Sequence, residues 1–104
     1  MPASEQILKA KSPSSTIIVV FEFLSDLERT ESLSGTPAVS CSVYSGTDAA
    51  PSALISGAAS RSGTTVRQTI VAGTVGNIYD LVCTVGTNLS NTLVKSAKLA
   101  IVSN

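Results

Sequence analysis

The chain has no histidine or tryptophan, and it has few aromatic and charged side chains. Of its 104 residues, two are Phe and two are Tyr, and charged residues make up 13%, about half of their share in an ordinary soluble domain. Histidine is the commonest general base and metal ligand near neutral pH. We therefore expect no enzyme activity, no catalytic residue, no cofactor and no metal ion.

Charge of one sign is not in excess either, because seven basic residues balance seven acidic ones. The sequence therefore offers no basic surface for nucleic acid or an anionic membrane. A free monomer with so few charges and no net charge would be poorly protected against association. This composition indicates one subunit of a larger, homo-oligomeric or multi-copy assembly, with no small-molecule substrate. The alternative is a soluble monomer whose surface is covered with Ser and Thr hydroxyls.

Long hydrophobic runs are missing as well. The longest, at residues 17–21, is far too short to span a bilayer. The first residues contain no apolar run of the kind that a secretion signal needs. We therefore expect a protein that is made and assembled in a cytoplasm.

The remaining pattern is that of short strands separated by turns. Residues 1–13 are polar and without periodicity, which predicts an N-terminal arm followed by a single domain at 14–104. Alternating apolar residues and turn signals predict strands at 15–24, 38–43, 64–71, 79–85 and 93–102, with a minor strand within 53–55. This pattern predicts an antiparallel β-sandwich.

The segment 71–85 predicts the centre of the core. A corner with Gly73 and Gly76 leads into a strand whose alternate residues from Tyr79 to Val85 share one face. A tyrosine in this place can bond back to the corner backbone through its hydroxyl. The predicted structural core residues are Phe21, Cys41, Tyr79, Leu81 and Cys83.

The two cysteines are predicted to face each other from opposing sheets, as in immunoglobulin-type sandwiches. A disulfide between Cys41 and Cys83 would close a loop of about 40 residues and add roughly 3–4 kcal/mol. A cytoplasmic protein would instead keep them as buried thiols. We favour two reduced thiols, and the sequence leaves their oxidation state open.

The first long strand is apolar on both faces over its first half. Such a strand is either central in a covered sheet or lies at a subunit contact. We expect the arm and the outer face of this strand to contact a neighbouring subunit. The candidate interface residues are Ile7, Leu8, Lys9, Ile18 and Val20.

The acidic residues Asp26, Glu28 and Glu31 follow no calcium-loop spacing, and we expect them to form a solvated turn. Only Tyr44 is free among the aromatics to stack on a sugar. A carbohydrate- or surface-binding module is therefore the alternative, and modules of this kind usually expose more aromatic residues.

Two groups of residues carry a resemblance to a known family. The first is the step Glu31-Ser32-Leu33 before the extended segment 38–43. The second runs from Thr65-Val66 through Ala72-Gly73 and Gly76 to Tyr79-x-Leu81-x-Cys83-Thr84. Over residues 14–102 this arrangement resembles the short immunoglobulin-like proteins encoded among the structural genes of tailed bacteriophages.

The resemblance implies an all-β, immunoglobulin-like antiparallel β-sandwich of six to seven strands. It also implies a non-enzymatic virion structural or accessory protein, such as a capsid decoration, neck, collar or fibre-attachment subunit. The implied partners are other virion subunits: capsid, portal or neck, and tail fibre proteins. Such a protein acts by protein–protein interaction and ends in the virion after assembly in the host cytoplasm.

Overall fold

The computed structural model describes residues 5–7, as backbone only, and residues 10–103. Seven strands lie within these residues, with short 3₁₀ turns at Leu24–Asp26 and Pro51–Leu54. The strands are β1 (Glu5–Ile7), β2 (Ile17–Glu22), β3 (Leu33–Ser45), β4 (Ile55–Ser62), β5 (Thr65–Ile70), β6 (Ile78–Thr87) and β7 (Thr92–Ala100). None of the helical turns in this part of the chain is long and apolar enough to cross a membrane.

The strands form two sheets that pack face to face. One sheet has the order β1-β7-β6-β3 and the other has the order β2-β5-β4. All pairings are antiparallel except that of β1 with β7, which is parallel. The predicted all-β sandwich is therefore confirmed.

The core lies between the sheets and follows the two-residue period of the strands. On β6, every second residue from Tyr79 to Thr87 is buried, and β2 buries Val19 and Phe21 from the opposite sheet. Burying each large apolar side chain contributes about 1.5–3 kcal/mol. The buried apolar residues are Val19, Phe21, Phe23, Leu33, Cys41, Leu54, Val66, Ile70, Tyr79, Leu81, Cys83, Val85, Ala97, Leu99 and Ile101.

The predicted placement of the cysteines on opposing sheets is wrong. Cys41 lies on β3 and Cys83 on β6, and these strands are direct neighbours in one sheet. Cys41 is opposite Leu81, while Cys83 is opposite Val39. Both cysteines are buried free thiols. Their alternation correctly places both side chains inward, but inward parity does not specify which sheet a strand joins.

Part of the predicted arm pairs with the domain. Glu5–Ile7 forms β1 along β7, with Ile7 opposite Lys98, and Lys11 bridges to Ile101. Leu8 and Lys9 lie outside the described residues. The boundary at residue 13 and the contact of the arm with a neighbouring subunit stay predictions.

The segment 45–65 is more regular than its sequence suggests. The predicted minor strand at 53–55 falls mostly on the 3₁₀ turn, and β4 continues for eight residues as Ile55–Ser62. Its composition of Ser, Ala and Gly gives no apolar alternation. The strand forms because the turn at Gly63, whose φ is +58°, folds it back along β5.

Candidate interaction surface

The most exposed apolar side chains of the smaller sheet lie on β2, which is an edge strand. Ile18 is 60% exposed and Val20 is 40% exposed, and both point away from the core. Leu24, just beyond the strand, is also exposed. The sequence left two interpretations for this strand, which is apolar on both faces. The prediction that it is the central strand of a covered sheet is therefore wrong.

The backbone of β2 also presents free hydrogen-bonding groups. The N–H of Phe23 donates to the carbonyl of Thr64 at 2.9 Å, so Phe23 bonds toward β5. In an antiparallel pair, successive residues alternate between bonding to the partner and pointing away from it. The N–H and C=O groups of Ile18, Val20 and Glu22 consequently point to the open edge. Within residues 5–7 and 10–103, β5 is the one strand that pairs with β2.

The edges formed by β3 and β4 are protected. Arg61 of β4 donates through Nε to the carbonyl of Gly35 at 3.0 Å and through Nη1 to that of Leu33 at 3.1 Å, both on β3. The β3–β6 register also shifts between Ser34 and Ala38, on either side of Pro37. Proline, bulges and charged residues are the usual devices that keep a sheet edge from pairing.

The β2 edge has fewer of these devices. Its register with β5 runs without a shift from Ile17 to Glu22, and the strand contains neither proline nor lysine. Its one charge is Glu22, whose carboxylate accepts from the N–H of Leu24 at 2.9 Å and from the hydroxyl of Thr64 at 2.6 Å. The bond from Leu24 satisfies an N–H group just beyond the end of the strand. In the described part of the chain, the outward-facing N–H and C=O groups of Ile18 and Val20 remain without a partner strand.

Of the five candidate interface residues, the structure brings Ile18 and Val20 together on this edge. Ile7 lies on β1 in the other sheet, so its backbone belongs to a different edge. Arg67, opposite Val20 on β5, is exposed on the same outer face. We call Ile18, Val20 and Glu22, with their free backbone groups, the β2 edge.

A polar cluster at one end of the sandwich surrounds Tyr79. Its hydroxyl accepts from the N–H of Thr74 at 3.1 Å and from the amide of Asn77 at 3.2 Å, and it donates to Asp48 at 2.7 Å. The pKa of Asp48 is lowered, first by the N–H of Ala50 and then by the Tyr79 hydroxyl. These bonds connect the corner before β6 to the loop after β3, so they have a structural role.

A second cluster, at the opposite end, corrects the expected solvated turn. Glu31 is 8% exposed, and it accepts from the Thr87 hydroxyl at 2.6 Å, the Asn91 amide at 2.7 Å and the N–H of Glu28 at 2.9 Å. These bonds lower the pKa of Glu31, that from Thr87 most strongly. The carboxylate therefore fixes the β2–β3 connection to the β6–β7 turn.

Two lysines pair with the remaining acidic groups that lie near the sheets. The Lys95 ammonium is 2.9 Å from Asp26 and lies 5.4 Å from the centre of the Phe23 ring. The Lys98 ammonium is 3.3 Å from Asp80 and 4.6 Å from the centre of the Tyr44 ring. Tyr44 therefore shares its exposed ring with a cation. Among the described residues, no three acidic or cysteine side chains come together in a way that could hold a metal ion.

Lys11 is a buried charged residue that the sequence pattern does not indicate. Its side chain is 3% exposed, and its ammonium donates to the carbonyls of Ser12 and Ala72, both at 2.6 Å. Desolvation lowers its pKa. Ala72 has a φ of +57°, which turns the corner after β5. No local pattern marks Lys11, because both the burial and the Ala72 contact come from a distant part of the chain.

Comparison with known proteins gives no match to any family model and no match to a curated protein.

Proposed function

We propose that this protein is a non-enzymatic assembly subunit that binds its neighbours through the β2 edge. With the resemblance described above, the assembly is the particle of a tailed bacteriophage, in which the chain is a decoration, neck, collar or fibre-attachment subunit. The observation that carries the proposal is the regular, unprotected β2 edge with its exposed Ile18 and Val20.

The strand order supports the immunoglobulin-like part of the resemblance. In an immunoglobulin constant-type sandwich, strands C, F and G form one sheet, and B, E and D belong to the other. If β2 is given the letter B, then β3, β6 and β7 are C, F and G, and β2, β5 and β4 are B, E and D. The bond from the Thr74 N–H to the Tyr79 hydroxyl also has the geometry of a tyrosine corner.

The physical basis of binding is addition of a strand to the sheet. A strand from a neighbour would satisfy the free N–H and C=O groups of Ile18, Val20 and Glu22, and the apolar outer side chains would add contact area. Each such hydrogen bond contributes only about 0.5–1.5 kcal/mol net. Stable attachment would therefore also need the apolar contacts of Ile18 and Val20.

The test uses purified particles of the phage whose genome encodes the chain. Mass spectrometry should find the protein in the particles at a fixed ratio to the main capsid protein. Particles supplied only with the variant Val20→Lys should lack it, because a lysine on an edge strand opposes pairing. Val94→Lys is the matched control, since Val94 is exposed on the outer face of the other sheet, and it should be incorporated normally.

Absence of the wild-type protein from the particles would refute the assignment to a virion. Normal incorporation of Val20→Lys would refute the role of the β2 edge.

A further inference from the structure

The geometry points to a second copy of this chain as the occupant of the β2 edge, paired antiparallel through its own β2 about a two-fold axis. The inference rests on the proposed function, because it names the partner of the same edge. The two three-stranded sheets would become one sheet of six strands in the order β4-β5-β2-β2-β5-β4.

The β2 edge is complementary to itself in its hydrogen bonds. The residues whose backbone groups point outward recur at every second position, at Ile18, Val20 and Glu22, and the exposed Thr16 continues this spacing. Two antiparallel strands exchange pairs of N–H and C=O bonds at this same interval. A two-fold axis brings one patch against its own copy, so each free donor of one β2 meets a free acceptor of the other.

The position of Glu22 favours one register over two others that the spacing allows. When Ile18 lies opposite Val20 of the second copy, Glu22 lies opposite Thr16, whose hydroxyl can donate to the carboxylate. A register with Val20 opposite Val20 puts Ile18 against Glu22, and one with Glu22 opposite Glu22 places like charges together, which is destabilising. The first register leaves no charge without a polar neighbour across the interface.

The overall charge of the chain also permits self-association. Seven basic and seven acidic residues leave no net charge, so two copies do not repel one another at long range. On β2 and β5, the outer face carries one charge of each sign, on Glu22 and Arg67. A foreign partner would need its own complementary edge, whereas a second copy supplies one with the required spacing.

Light scattering after size-exclusion chromatography, over a range of protein concentrations, gives the first test. We expect the wild type to convert from monomer to dimer as its concentration rises. Val20→Lys should stay monomeric, and Val94→Lys should form the dimer like the wild type. A wild type that remains monomeric up to the highest soluble concentration would overturn the inference, as would a Val20→Lys variant that dimerises normally.

Amide hydrogen exchange locates the contact without any substitution. In the monomer, the N–H groups of Ile18 and Val20 face solvent, so their exchange should be fast at low concentration and slow when the dimer is populated. The N–H of Phe21, which bonds toward β5, serves as the internal reference and should not change. A dimer in which the Ile18 and Val20 amides remain fast would overturn pairing through β2.

Circular dichroism would show whether Val20→Lys has lost its fold. In that case Val20→Thr is used instead, because threonine also favours a β-strand. Val20→Thr is nearly isosteric and uncharged, so it should retain the dimer and the protection of the Ile18 amide. Its loss of both, in a folded protein, would count against the proposed register.

The two proposals fail in different ways. If the wild type stays monomeric while Val20→Lys is still lost from particles, the partner is a different virion protein. The second-copy inference then fails and the proposed function stands. If Val20→Lys is incorporated normally although the wild-type dimer is real, the role of this edge in the particle fails, while the dimer remains.

Discussion

The hydroxyl of Tyr79 donates a 2.7 Å hydrogen bond to the carboxylate of Asp48 at one end of the sandwich. Asp48 follows β3, while Tyr79 begins the buried face of β6, so the bond joins the loop after β3 to the start of a strand that is distant in sequence. Because the same hydroxyl also accepts from Thr74 and Asn77, one phenol organises this end of the sandwich.

Replacing Tyr79 by Phe should destabilise the protein without changing its shape. The substitution keeps the ring in the core but removes three hydrogen bonds, and it leaves polar groups without a partner at a cost of about 1–3 kcal/mol. Urea unfolding measures the loss. Tyr44→Phe is the matched control, since Tyr44 is exposed, and it should change the free energy of unfolding by less than about 0.5 kcal/mol. Equal effects of the two variants would contradict this role.

Gly46→Ala should be more destabilising than Gly57→Ala. Both glycines have positive φ, +113° and +73°, so alanine is strained at each position, typically by about 1–2 kcal/mol. At Gly57 an added Cβ would meet no atom within 4 Å, whereas at Gly46 it would overlap the side-chain amide of Asn77. That amide bonds to Thr47 and Tyr79. A thermal unfolding midpoint for Gly46→Ala no lower than that for Gly57→Ala would show that the loop can move aside.

Glu31 should make stability depend on pH below the ordinary range of a glutamate. Its pKa in the folded state is lowered from 4.5, first by the Thr87 hydroxyl. A lowered pKa means that the stabilisation is complete above about pH 4.5 and is lost as the pH falls through the folded-state value. We expect Glu31→Gln to reduce the stability at pH 7 and to flatten the loss between pH 5 and 3, measured by urea unfolding at each pH.

Glu28→Gln is the matched control for this experiment, because Glu28 is on the same turn and exposed. It should keep the pH dependence of the wild type. An unchanged slope in Glu31→Gln would mean that the acid sensitivity comes from other carboxylates, such as Asp48, whose pKa is also lowered.

The two thiols should be inert in the folded protein. Burial raises the pKa of both Cys41 and Cys83 to about 11, and the thiolate is the form that reacts. Iodoacetamide at pH 8 should therefore leave the native protein unmodified by mass spectrometry and should add two groups in denaturant. Ser42→Cys, exposed on the same strand, provides the positive control and should gain one group at once. Rapid labelling of the native wild type would contradict the burial.

Much of this fold could be predicted from local sequence, because alternation specifies which face of a strand is buried. It placed Tyr79, Leu81 and Cys83 on one inner face and left Ile18 and Val20 on an outer one, as the structure has them. It could not place Cys41 and Cys83 in one sheet, since alternation carries no information about which strands are neighbours. The pairing of β3 with β6 joins residues that are far apart in sequence, and it depends on the packing of the whole core.

The polar interior shows the same limit more clearly. Lys11 and Glu31 look like surface charges in the sequence, yet each is buried against a segment far along the chain, at Ala72 and Thr87. Burial of such groups depends on their acquiring hydrogen-bond partners. Those partners become visible only when the tertiary structure is known. In the same way, the position of β2 at the edge of its sheet follows from the order of the strands, which the sequence pattern does not show.

The parallel pairing of β1 with β7 has a consequence for the order in which the protein can fold during synthesis. The N-terminal strand leaves the ribosome long before β7, its partner, is translated. The bridge of Lys11 to Ile101 and its hydrogen bond to the carbonyl of Ala72 likewise require segments that are translated later. The contact between these two strands can form only after β7 has been translated, so we expect it to be the last part of the larger sheet to form.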